Sequence, residues 1–165
     1  MAKRSFANWS WTPTAVANAA TMTANGACFL QGSSATQRNL VSEVYMGGLA
    51  GASAPCQMMV ARDSTVGVTA ITLGTNGSDA PLDVNSASTA ATTGFSATTM
   101  PQRSATLQLL NPAFNAFGGL VRWVAYPGEE ISVYGTAINV GEISLSANTG
   151  GTPGLMSSHI VYEPA

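Results

Sequence analysis

Residues Gly118–Ser146, GGLVRWVAYPGEEISVYGTAINVGEISLS, are the clearest indicator of structure in this chain. They contain extended runs of β-branched and aromatic residues, separated by turn-forming residues. Pro127-Gly128 fits the two central positions of a type II turn, because proline fixes the first φ angle and glycine accepts the positive second one. The stretch therefore predicts a β-meander, in which each strand pairs with the next.

Further strands lie on both sides of this stretch. Runs with alternating or β-branched apolar residues occur at Ala27–Gly32, Leu40–Met46, Cys56–Arg62, Val66–Leu73, Ser104–Leu109 and His159–Glu163. Short strands at this spacing, with Gly and Pro turns between them, predict an all-β fold. We expect an antiparallel β-sandwich of about eight strands with a jelly-roll topology.

Little helix is expected. Asn111-Pro112 suits a helix N-cap and first helical position, and Gly118 suits a helix end. The sequence therefore predicts about one helical turn over Pro112–Phe117.

The N-terminal segment, residues 1–26, differs from the strands that follow it. Pro13 interrupts any continuous helix or central strand, and the large apolar residues stand among small polar ones. We predict an N-terminal arm over residues 1–26 and a sandwich domain over residues 27–165. The aromatic residues of the arm are anchors, either for the open end of this subunit's own core or for a neighbouring subunit.

The segment over residues 80–100 is almost entirely Ser, Thr and Ala. Such a composition cannot supply a hydrophobic core, so we predict a long surface loop within the sandwich domain. Asp79 and Asp83 lie at its start, but calcium needs six or more oxygen ligands, so we predict no metal site there.

The chain is unusually poor in charge. Charged residues make up 8% of it and the formal net charge is −2, against about 25% charged residues in typical soluble domains. Such a surface repels copies of itself weakly, which favours packing into an assembly. Lys3 is the single lysine among six basic residues, and arginine is enriched at protein interfaces whereas lysine is depleted. The base composition of a GC-rich genome gives the same excess of arginine.

These observations select a set of candidate interface residues, three aromatic and three basic: Phe6, Trp9, Trp11, Arg38, Arg103 and Arg122.

Composition argues against several partners. No basic cluster exists and the isoelectric point is near 5.1, which disfavours nucleic-acid binding. No run of 18 apolar residues is present, so we predict no membrane contact. Polar residues between Asn8 and Asn18 interrupt what a signal peptide would need as its apolar region. We therefore expect synthesis in a reducing cytosol, with Cys28 and Cys56 remaining thiols.

The sequence shows no recognisable catalytic arrangement. His159 is the only histidine, and no G-x-S-x-G motif accompanies it. Glu129 and Glu130 are adjacent, so in a strand their carboxylates would face opposite sides, unlike a glycosidase pair. We predict that the protein is not an enzyme and needs no cofactor. Aromatic residues such as Trp123 and Tyr126 leave a glycan-binding module as an alternative.

The last third of the chain resembles a group of small virion proteins of tailed bacteriophages. The resemblance covers Gly118–Glu163 and lies in a glycine-led R-W-x-A strand, a P-G-E-E turn, and a G-G-T-P-G loop before a final H-x-x-x-E strand. It implies a jelly-roll capsid decoration, or cement, protein that binds the major capsid protein, commonly as a homotrimer on the outer surface of the virion. The alternative is a glycan- or receptor-binding module of a viral tail or head fibre.

Overall fold

The computed structural model describes residues 6–10, 27–31, 38–65, 68–70, 79–86, 91–95, 97–99, 101–134, 141–147 and 156–165. Within these ranges the chain forms fourteen strands: β1 (Phe6–Ser10), β2 (Ala27–Gln31), β3 (Arg38–Leu49), β4 (Pro55–Asp63), β5 (Val68–Ala70), β6 (Ala80–Pro81), β7 (Thr92–Phe95), β8 (Ala97–Thr99), β9 (Arg103–Leu110), β10 (Ala113–Asn115), β11 (Phe117–Val124), β12 (Ile131–Tyr134), β13 (Ile143–Ala147) and β14 (Met156–Pro164). No helix occurs in the described part of the chain. The prediction of an all-β fold is confirmed.

The strands form two antiparallel sheets and one separate pair. Sheet I has the order β11-β3-β14-β1-β6, and β12 also pairs with β3. Sheet II has the order β10-β4-β13-β2-β7, and β9 also pairs with β4. The strands β5 and β8 pair only with each other in the described part.

The pairing is that of a jelly roll. β1 pairs with β14 and β2 with β13, β3 pairs with β11 and β12, and β4 pairs with β9 and β10. Strands therefore pair from the two ends of the chain inward, as in one long hairpin. The hairpin is rolled up because β14 also pairs with β3 and β13 with β4. The predicted sandwich is confirmed, and its strand order follows the predicted topology.

The predicted β-meander is wrong, although its strands and its turn are present. β11 and β12 do not pair with each other; they lie end to end beside β3, where Val124 opposes Glu43 and Ile131 opposes Val41. β13 belongs to the other sheet. β3 has twelve residues and is long enough to pair with both β11 and β12.

The predicted type II turn at Pro127-Gly128 is confirmed. Glu129 N donates to Tyr126 O at 2.9 Å, and Gly128 has a φ of 90°.

The predicted helical turn over Pro112–Phe117 is also wrong. Its residues form β10 along the edge of β4, where Ala113 opposes Gln57. Met58 N donates to the carbonyl oxygen of Pro112 at 3.1 Å. A single helical turn is unstable by itself, and the edge of β4 offers backbone partners that a lone turn lacks.

Part of the predicted N-terminal arm lies in the sandwich. Phe6–Ser10 forms β1 and pairs with both β14 and β6, so for these five residues the sheet begins before residue 27. Residues 11–26, including Trp11, lie outside the described residues.

The predicted surface loop over residues 80–100 contributes strands. β6 extends sheet I beside β1, and β7 extends sheet II beside β2. Ser, Thr and Ala cannot fill a core, but pairing at a sheet edge needs only backbone N–H and C=O groups. The composition therefore did not predict the strands of this segment.

The hydrophobic core lies between the sheets. Sheet I contributes Val41, Val44, Met46, Val133, Ile160 and Tyr162 to it, and sheet II contributes Leu30, Cys56, Met58, Val60, Ile143 and Leu145. Each fully buried aliphatic side chain of this kind stabilises the fold by about 1.5–3 kcal/mol.

The outer faces of the two sheets differ. On sheet II, several side chains that point away from the core are also buried: Met59, Ala61, Ser144 and Ser146. On sheet I, the outward residues of β11 are exposed. Along the edge strand β11, sheet I therefore offers an open face to a partner, whereas these central positions of sheet II are covered.

Candidate interaction surface

A row of planar side chains crosses the open face of sheet I. Arg122 on β11 opposes Tyr45 on β3, and Tyr45 opposes His159 on β14. The Arg122 Cζ lies 5.2 Å from the centroid of the Tyr45 ring, and the rings of Tyr45 and His159 stack with centroids 5.4 Å apart. The backbone register continues from His159 to Trp9 on β1. The row ties three strands together and uses both faces of the Tyr45 ring.

Glu43 joins this row through hydrogen bonds. Its Oε2 accepts from the Tyr45 hydroxyl at 2.6 Å and from Arg122 Nε and Nη2 at 3.0 and 2.7 Å. The hydrogen bond to the carboxylate raises the pKa of the Tyr45 phenol, and the same carboxylate raises the pKa of Arg122. Burial lowers the pKa of His159, with Glu43 opposing that change. The row therefore combines an ion pair with stacked rings.

An apolar edge borders the row. We use this name for five side chains on or beside β11, each more than half exposed: Leu49, Phe117, Leu120, Val124 and Tyr126. Phe117 opposes Leu49 across the strands, and Leu120 and Val124 flank Arg122 on the exposed side of β11. Exposed apolar side chains that lie together mark interaction sites more often than scattered ones do.

The opposite edge of sheet I carries a second exposed apolar feature. Leu82 and Val84 follow β6 and are 62% and 86% exposed. The residue between them shapes the turn: Asp83 Oδ1 accepts from Asn85 N at 3.0 Å, and its carbonyl oxygen accepts from Ser86 N at 2.9 Å. We call residues 82–84 the apolar turn. Sequence reasoning missed it, although two large aliphatic residues inside a Ser/Thr/Ala segment were the available signal.

The predicted interface residues do not form one site. Arg122 lies in the row on sheet I, and Arg38 is exposed at the start of β3, with its Cζ 5.2 Å from the centroid of the Tyr134 ring. Phe6 and Trp9 belong to β1, where Trp9 shares the register of the row.

Arg103 occupies an internal position instead of an interface. It is 4% exposed, and its Nη1 donates to Ser146 Oγ at 2.6 Å. It opposes Asp63, which accepts from Ser144 Oγ at 2.5 Å. Burial raises the pKa of Asp63 to about 7, with Arg103 among the neighbours that lower it. We therefore assign Arg103 to a buried polar network on sheet II.

Other polar residues have structural roles. Glu130 Oε2 accepts from Gly128 N at 2.9 Å, so this carboxylate stabilises the turn. The Tyr162 hydroxyl donates to the carboxylate of Asp79. Among the described residues, no group of three or more His, Cys, Asp or Glu side chains could hold a metal ion. The part of the chain that the structure describes contains no helix long and apolar enough to cross a membrane.

The two aromatic residues named as candidates for glycan stacking differ in exposure. Trp123 packs against the core. Tyr126 is exposed beside the type II turn.

Comparisons with known proteins do not place the chain in a family: no protein-family model matches it, and no curated protein matches it.

Proposed function

We propose that the protein is a non-enzymatic structural component of a virus particle. In this proposal it is a decoration protein that binds the capsid shell of a tailed bacteriophage as a homo-oligomer, most simply a trimer. The observation that carries the proposal is the apolar edge beside the open face of sheet I, in a chain with only 8% charged residues.

Two features support this role. An exposed apolar edge is costly to keep in water and is stabilised when a partner covers it. The jelly-roll strand order is also the fold implied by the resemblance of Gly118–Glu163 to small phage virion proteins. The low charge permits dense packing of copies on a shell because like-charge repulsion is weak.

Binding to capsids tests the proposal. The probe is the capsid of the encoding phage, prepared from a mutant that lacks this chain, and binding is measured by co-sedimentation of the purified protein. We expect saturable binding and a higher temperature of capsid disruption in its presence. Protein that remains in the supernatant at all concentrations would exclude this function.

Matched variants locate the contact. Arg122→Ala removes the exposed guanidinium of the row on sheet I, whereas Gln108→Ala changes an exposed polar residue on the edge strand β9 of sheet II. If the open face meets the shell, Arg122→Ala weakens binding while its oligomer mass stays that of the wild type, and Gln108→Ala leaves both binding and mass unchanged.

A further inference from the structure

We propose that copies of this chain associate head to tail, with the apolar turn of one copy packed on the apolar edge of the next, so that the contacts close into a ring. This inference deepens the proposed function and rests on its homo-oligomer, for which it names the two surfaces in contact.

The positions of the two surfaces carry the argument. The apolar turn follows β6 at one end of sheet I, and the apolar edge lies along β11 at the other. Four strand spacings of about 4.8 Å separate these edges, or roughly 19 Å. When two copies join through two different surfaces, one apolar turn and one apolar edge of the pair remain free. Further copies can therefore add in the same way until the contacts close into a ring. Three copies form the smallest ring that is not a pair.

The apolar turn is suited to insertion. Val84 is 86% exposed, and the two hydrogen bonds to Asp83 hold the turn in one conformation. A segment that is already ordered loses little conformational entropy on binding. Leu82 and Val84 thus present a small preformed apolar projection.

The apolar edge is large enough to receive it. Burying a large aliphatic or aromatic side chain removes roughly 60–120 Å² of apolar surface from water, so five such residues, each more than half exposed, offer on the order of 400 Å². A standard interface covers about 800 Å² on each partner, of which about 57% is apolar. The edge is therefore large enough to receive Leu82 and Val84, whose two side chains cover part of it.

The polar groups of the two surfaces complement each other. Asp83 is the acidic residue within the apolar turn, and no basic residue occurs in residues 79–86. Arg122 lies between Leu120 and Val124 on the apolar edge. Its Nε and Nη2 donate to Glu43, and the guanidinium has further N–H donors that can bind a carboxylate of the next copy.

Complementation between two variants tests the ring. Val84→Asp disables the turn and leaves the edge intact, whereas Leu120→Asp disables the edge and leaves the turn intact. Leu107→Asp, on exposed β9 of sheet II, is the matched control. Masses are measured by light scattering and sedimentation over a range of concentrations.

We expect trimers for the wild-type chain and for Leu107→Asp, and monomers for each of the other two variants alone. An equimolar mixture of Val84→Asp and Leu120→Asp should form dimers and stop there, because one intact turn meets one intact edge. A wild-type monomer, a wild-type mass for Val84→Asp or Leu120→Asp, or a mixture that stays monomeric would overturn the proposal. Circular dichroism verifies folding, and the milder pair Val84→Ser and Leu120→Ser replaces any variant that does not fold.

The two proposals fail separately. A ring that does not bind capsids removes only the proposed function. If the wild-type oligomer binds capsids but Val84→Asp keeps the wild-type mass, only the proposed head-to-tail contact is excluded.

Discussion

Ionisable side chains are buried together on sheet II, away from the open face. Asp63 and Arg103 oppose each other at the point where β4 ends and β9 begins, and Ser144 and Ser146 provide hydroxyl groups to them. A buried carboxyl group of this kind loses hydration, which disfavours its charged form. The stability of the protein should therefore depend on the protonation of Asp63 and its buried neighbour Glu142.

Asp63 predicts a specific dependence of stability on pH. Its pKa is raised from 3.8 to about 7 in the folded chain, so the folded state holds the proton more tightly than the unfolded state. This contribution is fully present below about pH 4 and is lost as the pH rises to about 7. It amounts to a few kcal/mol, at about 1.4 kcal/mol for each unit of pKa difference.

The measurement is urea unfolding of the wild type and of Asp63→Asn across this pH range. The amide can still accept the hydrogen bond from Ser144, but it does not titrate. We expect the stability of Asp63→Asn relative to the wild type to increase with pH. A difference that is constant between about pH 4 and about pH 7 would contradict the assignment.

Arg103 should be far more sensitive to substitution than the exposed Arg38. Arg103→Met removes a buried guanidinium that donates to Ser146 Oγ and lies close enough to Asp63 to lower the pKa of that carboxyl group. The loss of a buried hydrogen bond from a charged group costs about 1–3 kcal/mol or more, because its partner is left unsatisfied. Arg38→Met removes an exposed side chain and should cost less than about 1 kcal/mol. Thermal or chemical unfolding of the two variants provides the comparison, and equal losses would show that Arg103 is not paired inside the fold.

Gly48 is required by a close approach of two backbones. A Cβ atom there would overlap the backbone of Ala116, where the chain passes from β10 in sheet II to β11 in sheet I. Gly48→Ala should therefore destabilise the fold by about 1–3 kcal/mol or more, as overpacking does. Gly51→Ala is the control, because a Cβ atom at Gly51 meets nothing within 4 Å. Similar unfolding midpoints for both variants would disagree with this packing.

At the scale of elements, β11 and β12 act as one interrupted strand. Ala125 N donates to Ser42 O at 2.9 Å as the chain leaves the edge of β3, and pairing resumes at Ile131. The type II turn lies within the intervening segment and does not form a hairpin. Type II turns match the twist of paired strands poorly, whereas types I′ and II′ suit hairpins.

The positive φ of Gly128 should make this turn sensitive to substitution. An alanine at φ 90° is strained, and Gly128→Ala should cost about 1–2 kcal/mol. Gly128→Asn should cost less, because asparagine enters the left-handed region more readily. Equal stability of the two variants, measured by thermal unfolding, would argue against strain as the cause.

The sequence predicted which residues form strands better than it predicted which strands pair. Alternation of apolar and polar residues with period two shows which side chains face inward, but it does not identify the strand that pairs with a given strand. For this reason the runs around Trp123 and Val133 were recognised, while their shared partner β3 was not. The short strands β6 and β7 gave no signal, since Ser, Thr and Ala carry no apolar period. The interface residues were chosen by residue type, which cannot separate the buried Arg103 from the exposed Arg122.

At the scale of the whole molecule, the pairing of distant strands governs folding. Phe6 opposes Tyr162, and each of the outer strand pairs joins the two ends of the described chain. Closing such large loops costs entropy before the contacts stabilise them. We expect refolding from urea in milliseconds to seconds or more slowly, measured by stopped-flow fluorescence of the tryptophans. Complete refolding within microseconds would be incompatible with this topology.

The proposed oligomer should be insensitive to salt. Its contact is mainly apolar, and raising NaCl from about 0.1 M to about 1 M shortens the Debye length from about 10 Å to about 3 Å without weakening apolar burial. Sedimentation in both solutions should give the same mass. Dissociation at high salt would indicate that ion pairs, such as Arg122 with a partner's carboxylate, dominate the contact.

The interruption between β11 and β12 also limits how copies can polymerise. The outermost strand of a sheet is a template for open-ended addition of further chains, the route to cross-β fibrils. Here the row of backbone groups is broken after Val124 by a segment with Pro127 and two glutamates, and proline and charge both discourage strand addition. A second chain can pair with β11 or with β12, but the segment between these strands prevents it from pairing with both. The surface that favours regular assembly is thus protected against amyloid-like growth.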